Sequence, residues 1–170
     1  MKLRKVISGG QTGADQAGLV AAKEFGLETG GWMPFGYLTE DGPCPELKQK
    51  FGVQAHSSSS YPPRTKKNAE ESDGTIRLAF DFTTAGEVCT LKAIKQYKKP
   101  YFDVDLNNPP DPQLAAQWLI ENNIEVLNVA GNRQKTNLTM HDSVVEYLRS
   151  VFSTYRKLHN ADSAISGLAD

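Results

Sequence analysis

Ser8, Gly9, Gly10, Gln11, Thr12, Gly13, Ala14 and Asp15 follow one another directly behind a short apolar segment. Glycines at a turn from strand to helix let a ligand approach the backbone, because no Cβ stands in the way. The first amides of the following helix lack intrahelical partners and carry a partial positive charge, which suits phosphate or another anion. A purely local reading also exists: Thr12 caps the helix, and Asp15, three positions on, completes a capping box. It accounts for Thr12 and Asp15 but leaves Gly9, Gly10 and Gly13 unexplained. The glycine spacing matches neither the Gly-x-Gly-x-x-Gly dinucleotide fingerprint nor the Walker P-loop.

Further residues could complete such a site. Arg64 and Arg133 each offer a planar fork that can hold phosphate in bidentate fashion. Each also has an ordinary alternative: Arg64 as a surface partner of Glu70 or Glu71, Arg133 as a plain helix-start or surface residue. Asp15 is unfavourable beside an anion by charge alone. It makes sense if it accepts from a ribose, base or pterin N–H, if it holds a cation, or if it is only a cap. Trp32, after Gly30 and Gly31, either stacks on a planar ring or packs in the core. Asp73 and Asn128 flank strand ends, as polar ligands or as turn formers. Ser8 has no Gly-x-Ser-x-Gly elbow and no identifiable base, so it is assigned hydrogen bonding rather than nucleophilic attack. His56, His141 and His159 are far apart and show no ligand spacing, and Cys44 and Cys89 are isolated from each other. No catalytic residue and no metal ligand is assigned, and a reduced, cytoplasmic setting is the simpler expectation.

The elements that must position these residues alternate. Strands are expected at 5–8, 74–80, 101–104 and 124–129, with a brief one in 29–34. Helices are expected at 14–25, 64–72, 85–98, 111–122 and 140–158. Pro112 stands at the favoured first-turn position of one of them. Residues 35–62 read as a long irregular stretch rich in Gly, Pro and Ser, of the kind that is functional or mobile in a small domain. Strand and helix in alternation predict a parallel sheet with helices on both faces. Ligands in such folds sit beyond the carboxyl ends of the strands. That rule brings together the turns at 9–13, 30–32, 83–86 and 131–133. One domain over 1–158 and a loosely ordered tail over 159–170 are expected.

The 170 residues suffice for one sizeable core, and the net charge of -1 gives no electrostatic case for nucleic acid. No run approaches the roughly 18 apolar residues that a membrane helix requires. Val144, Val145, Leu148, Val151 and Phe152 give the final helix an apolar face wide enough for self-association as well as core packing, so a homo-oligomer is expected.

Six stretches, in order, carry a resemblance. They are residues 8–15, Gly30-Gly31-Trp32-Met33-Pro34, Glu40-Asp41-Gly42-Pro43, Arg64-Thr65 with Asn68, Ser72-Asp73-Gly74-Thr75 and Leu127-Asn128-Val129-Ala130-Gly131-Asn132-Arg133. Together they resemble the putative molybdenum carrier family, a circularly permuted YpsA-like branch of the SLOG Rossmann-like superfamily. That branch is distantly related to the lysine-decarboxylase-like proteins. The resemblance implies an α/β Rossmann-like three-layer sandwich with a mainly parallel central sheet. It implies a small phosphorylated ligand, a nucleotide or the molybdenum cofactor, held by Ser8, Gly9, Gly10, Gln11, Thr12, Gly13, Asp15, Trp32, Arg64, Asn68, Gly86, Gly131, Asn132 and Arg133. Two stretches depart from the family pattern. Thr84-Ala85-Gly86-Glu87 replaces a Gly-Thr pair, and Asn132-Arg133-Gln134-Lys135-Thr136 replaces a small-polar run. Glu87 in a first helical turn reads as solvated, and it would repel a phosphate placed there. The function expected is a binding or carrier protein. The alternatives are an enzyme like the related nucleoside-monophosphate phosphoribohydrolases, with Asp15 or Glu87 as acid-base group, and a nucleotide-sensing module.

Overall fold

The computed structural model describes residues 2–166. In chain order the elements are β1 (Lys5–Ile7), α1 (Ala14–Glu24), β2 (Glu28–Gly30), β3 (Trp32–Met33), β4 (Leu38–Thr39), β5 (Gly42–Pro43), α2 (Glu46–Phe51) and β6 (Gln54–Ala55). Then come α3 (Tyr61–Glu71), β7 (Gly74–Ala79), α4 (Ala85–Gln96), β8 (Tyr101–Asp105), α5 (Pro112–Glu121), β9 (Val126–Gly131) and α6 (Met140–Ser166). The central sheet has the order β2-β1-β9-β7-β8, and every pairing is parallel.

Strand β7 is buried along its whole length, as a parallel strand covered on both faces should be. Its side chains alternate between the two faces. Ile76 and Leu78 join the main core with Ala115, Leu119, Val144 and Leu148 from α5 and α6. Arg77, between them, points the other way and meets Glu87 of α4. Helices α1, α5 and α6 therefore cover one face of the sheet, while α3 and α4, which pack on each other, lie over the other. This is the expected α/β arrangement of three layers.

Several local readings change. Helix α3 begins at Tyr61 rather than Arg64, because Pro62 and Pro63 fit a first helical turn, where their missing N–H groups have no partner to lose. The stretch 35–62 is less irregular than its composition suggests. Strands β3 and β6 pair in parallel, β4 and β5 form a hairpin, and α2 supplies Leu47 and Phe51 to a small core with Leu19, Met33 and Val53. Helix α6 runs to Ser166 instead of ending at Leu158, and the last part of the expected tail, 167–170, lies outside the described residues. Val144, Val145, Leu148, Val151 and Phe152 are all buried in the core, so the apolar face that suggested self-association is covered within the chain itself. Among the described residues no helix is long and apolar enough to cross a membrane.

Candidate functional site

Three turns meet at the carboxyl ends of β1, β9 and β7. They are stitched together by Asn132, whose side-chain oxygen accepts from the amides of Phe80 and Asp81 at 2.9 and 3.0 Å. Its side-chain nitrogen donates to the Asp81 carbonyl, and its own carbonyl accepts from the amide of Ala14. Asn132 thus fixes the turn after β7 and the start of α1 against the end of β9.

The turn that begins at Ser8 is closed rather than open. Gly10 N–H donates to Ser8 Oγ, Gln11 N–H to Asp15 Oδ2 and Thr12 N–H to the Gln11 side chain. These amides are not left for an anion. The capping box does not form: Gly13, at φ +84°, precedes α1 and makes no side-chain cap, and a Cβ on it would lie 2.5 Å from the Asn132 carbonyl. Gly9 is glycine for a similar reason. A Cβ there would stand 1.8 Å from Arg64 Nη1 and 2.7 Å from Asp15 Oδ2. The glycines of this turn admit neighbouring parts of the protein, including the Arg64 guanidinium. Thr12 Oγ donates to Glu40, whose carboxylate also accepts from the amide of Lys135 and lies 3.8 Å from Arg133 Nε.

Helix α4 supplies the open amides. Thr84 caps it, accepting from the amide of Glu87, and the preceding amides of Ala85 and Gly86 are the orphans of a first helical turn. Both residues line a cleft of about 510 Å³ together with Gln11, Asp15, Tyr61, Arg64, Asn132 and Arg133. That size accommodates a nucleotide-sized ligand, within the few hundred to about 1,000 Å³ usual for such sites. A Cβ on Gly86 would meet nothing within 4 Å, so the helix start faces free space. The Arg64 and Arg133 guanidinium groups lie 5.5 and 5.8 Å from the centre of the Tyr61 ring. Two cations and a helix start thus share one wall system.

Two carboxyl groups line the same cleft. Asp15 is buried, and Arg64 Nη1 stands 3.5 Å from its Oδ2. Burial pushes its carboxyl above the usual carboxylate range, while Arg64 and the amides of Gln11 and Gly9 pull the other way. Glu87 is 1% exposed, which overturns the expectation of a solvated first-turn acid. Burial pushes its carboxyl up to about 7, with Arg77 pulling down and Asp15, Asp103 and Asp81 adding repulsion. Arg77 offsets the burial only in part: its Nε and Nη2 are engaged by Asp103, and its Nη1 is 3.6 Å from Glu87 Oε2.

The structure gathers Gln11, Asp15, Arg64, Gly86, Gly131, Asn132 and Arg133 at the cleft. Ser8, Gly9, Gly10, Thr12 and Gly13 stand behind it as its frame. Trp32 and Asn68 are not among the lining residues. The Asn68 amide brackets the Trp32 backbone, donating to its carbonyl and accepting from its amide, and the indole N–H donates to Glu71. Sequence reasoning assigned no role in the site to Tyr61, Glu40 or Arg77. For Arg77 a signal was present: a charged residue inside an apolar strand needs a buried partner.

Residues 6–152 match the model of the circularly permuted YpsA SLOG family. The chain belongs to this family. The match spans all of the cleft residues named above. The SLOG fold is also seen in the crystal structure, at 1.45 Å resolution, of a "putative molybdenum carrier protein" from Syntrophus aciditrophicus SB. This chain is 35% identical to it, with a TM-score of 0.80, over 88% of this chain and 94% of that one. No curated protein matches the sequence. The five-stranded parallel sheet flanked by helices agrees with the Rossmann-like SLOG fold.

Proposed function

We propose that this SLOG protein binds and carries a small phosphorylated ligand, of the nucleotide or molybdopterin kind, in the cleft between α3, α4 and the turn after β9. The observation that carries the reading is the convergence of the open amides of Ala85 and Gly86 with Arg64 and Arg133. In this reading the phosphate sits at the start of α4 rather than at the turn after β1, where the amides of Gly10, Gln11 and Thr12 are internally bonded. The buried Gln11 Nε2 has no hydrogen-bond partner and lines the same cleft, so a ligand oxygen would satisfy it. The similar protein from Syntrophus aciditrophicus is described as a carrier of molybdenum. Amides and guanidinium groups suit an oxyanion or the phosphate of a pterin cofactor, and that is the form in which molybdenum would be cargo here.

Titration calorimetry of the purified protein against AMP, ADP, GMP and molybdenum cofactor tests the reading. Binding of at least one is expected, with Arg64→Ala weaker by about tenfold or more, the effect of losing one charged hydrogen bond. Failure of every phosphorylated planar ligand to bind would refute it.

One observation favours a second reading. Two carboxyl groups with raised proton affinity, Asp15 and Glu87, sit in one cleft with an arginine, as an acid-base enzyme acting on a nucleoside monophosphate would require. Base release from a nucleotide panel, lost in Glu87→Gln and Asp15→Asn, is its expected outcome. No turnover across the panel excludes it.

A further inference from the structure

A carboxyl group in the first turn of the helix that receives the phosphate looks self-defeating. Ionised Glu87 would oppose both the bound anion and the helix start that attracts it. Its surroundings resolve the conflict. We infer that Glu87 enters the site as a neutral acid whose O–H serves the bound anion, so that binding takes up one proton. The inference rests on the phosphate reading above and adds a ligand-binding residue and a coupled proton to it.

The geometry has three parts. Glu87 is 1% exposed, and its Oε2 has no hydrogen-bond partner. The guanidinium that faces it is shared: Arg77 donates to both oxygens of Asp103, stacks near Phe82 and Tyr101, and stands 3.6 Å from Glu87 Oε2. One cation therefore stands between two carboxyl groups, and the half-exposed Asp103 takes the better geometry. On α4 itself, Lys92 and Lys95 line a shallow pocket with Glu87 and Arg77. Asp15 of α1 and Asp81 of the turn after β7 repel a negative charge on it. Arg64 of α3 and Arg133 after β9 line the same cleft, where Asp15 and Glu40 stand beside them.

A dianion arriving among these groups adds negative charge beside a group already poised near neutrality, and so raises its proton affinity further. A neutral carboxyl offers one donor. The proton comes from solvent, and nothing else in the cleft need change its bonding.

Inorganic sulfate is the probe, because its charge does not change between pH 6 and pH 8.5. Calorimetry of the full chain should show affinity falling by about thirtyfold across that range, the loss of the protonated fraction of one group titrating near 7. Repeating the titration near pH 7.5 in two buffers of different ionisation enthalpy should show net proton uptake. Glu87→Gln should bind sulfate with an affinity independent of pH and take up no proton. Asp15→Asn should keep the pH dependence. Sulfate binding that is flat with pH, or a dependence that survives in Glu87→Gln, overturns the inference and leaves the phosphate reading standing. Sulfate that fails to bind at any pH overturns the inference, and the nucleotide titrations then decide the phosphate reading. If Glu87→Gln does not fold, the two-buffer measurement on Asp15→Asn decides: uptake that persists there supports the inference, and uptake lost with Asp15 overturns it.

Discussion

Replacing Glu87 by Gln should stabilise the ligand-free protein, and only above a definite pH. The folded state holds the Glu87 proton up to about 7, whereas the same group in an unfolded chain releases it near its ordinary value of 4.5. Below that value both states carry the proton, and the group contributes nothing to the pH dependence. Between 4.5 and 7 the unfolded chain has lost the proton and the folded chain keeps it. The natural protein therefore loses about 1.4 kcal/mol of stability per pH unit. Above 7 the loss is complete and amounts to about 3 kcal/mol. Gln has nearly the same shape and does not titrate, so it escapes this loss. Groups that titrate alike in both proteins cancel in the difference. Urea unfolding of both proteins from pH 4.5 to 8.5 measures it. With a slope of about 2 kcal/mol per molar urea, the midpoint gap should widen by about 1.5 M across the window and then level off. A constant gap, or one widest at acid pH, would refute the argument that Glu87 is held buried and neutral.

The remaining predictions concern the frame of the cleft. Gly9→Ala should displace the Arg64 guanidinium, because the new Cβ would stand 1.8 Å from its Nη1. Since a flexible side chain can give way, the fold should survive, and sulfate affinity should fall by about tenfold or more, as for loss of a charged hydrogen bond. Unchanged affinity in calorimetry would count against Arg64 as a ligand residue. Gly131→Ala meets backbone instead. Its Cβ would lie 1.9 Å from the Leu78 carbonyl of the paired strand, and a loss of at least about 3 kcal/mol in urea unfolding is expected. Asp103→Asn frees Arg77 to serve Glu87 and removes one repelling charge. The pH midpoint of sulfate affinity should move down by about one unit, and a midpoint that stays or rises would contradict the placement of Arg77 between two acids.

Much of the architecture was legible because it rests on periodicity and turn chemistry. The placing of Ile76 and Leu78 on one face of β7, the position of Pro112 in α5, and the glycines that follow β1 and end β9 are local patterns, and local physics fixes them. The carboxyl-edge rule pointed to the end of the sheet where the cleft lies. The sequence also marked Arg64, Arg133 and Asp15 as residues with chemistry, and the fold brings all three to one cleft.

What the chain alone did not decide is which groups would already be satisfied. A glycine at a turn has the same letter whether it admits a ligand or an arginine, and only packing against α3 shows that Gly9 admits Arg64. The amides after Ser8 looked available until Asp15 and the Gln11 side chain were seen to turn back on them. A glutamate in a first helical turn is solvated in most helices. Here α4 lies over the strand that carries Arg77, so the burial that raises its proton affinity follows from packing between two elements. Hydrogen-bond satisfaction and desolvation depend on everything that surrounds a group, and those surroundings exist only once the sheet has brought β7, β9 and α1 together.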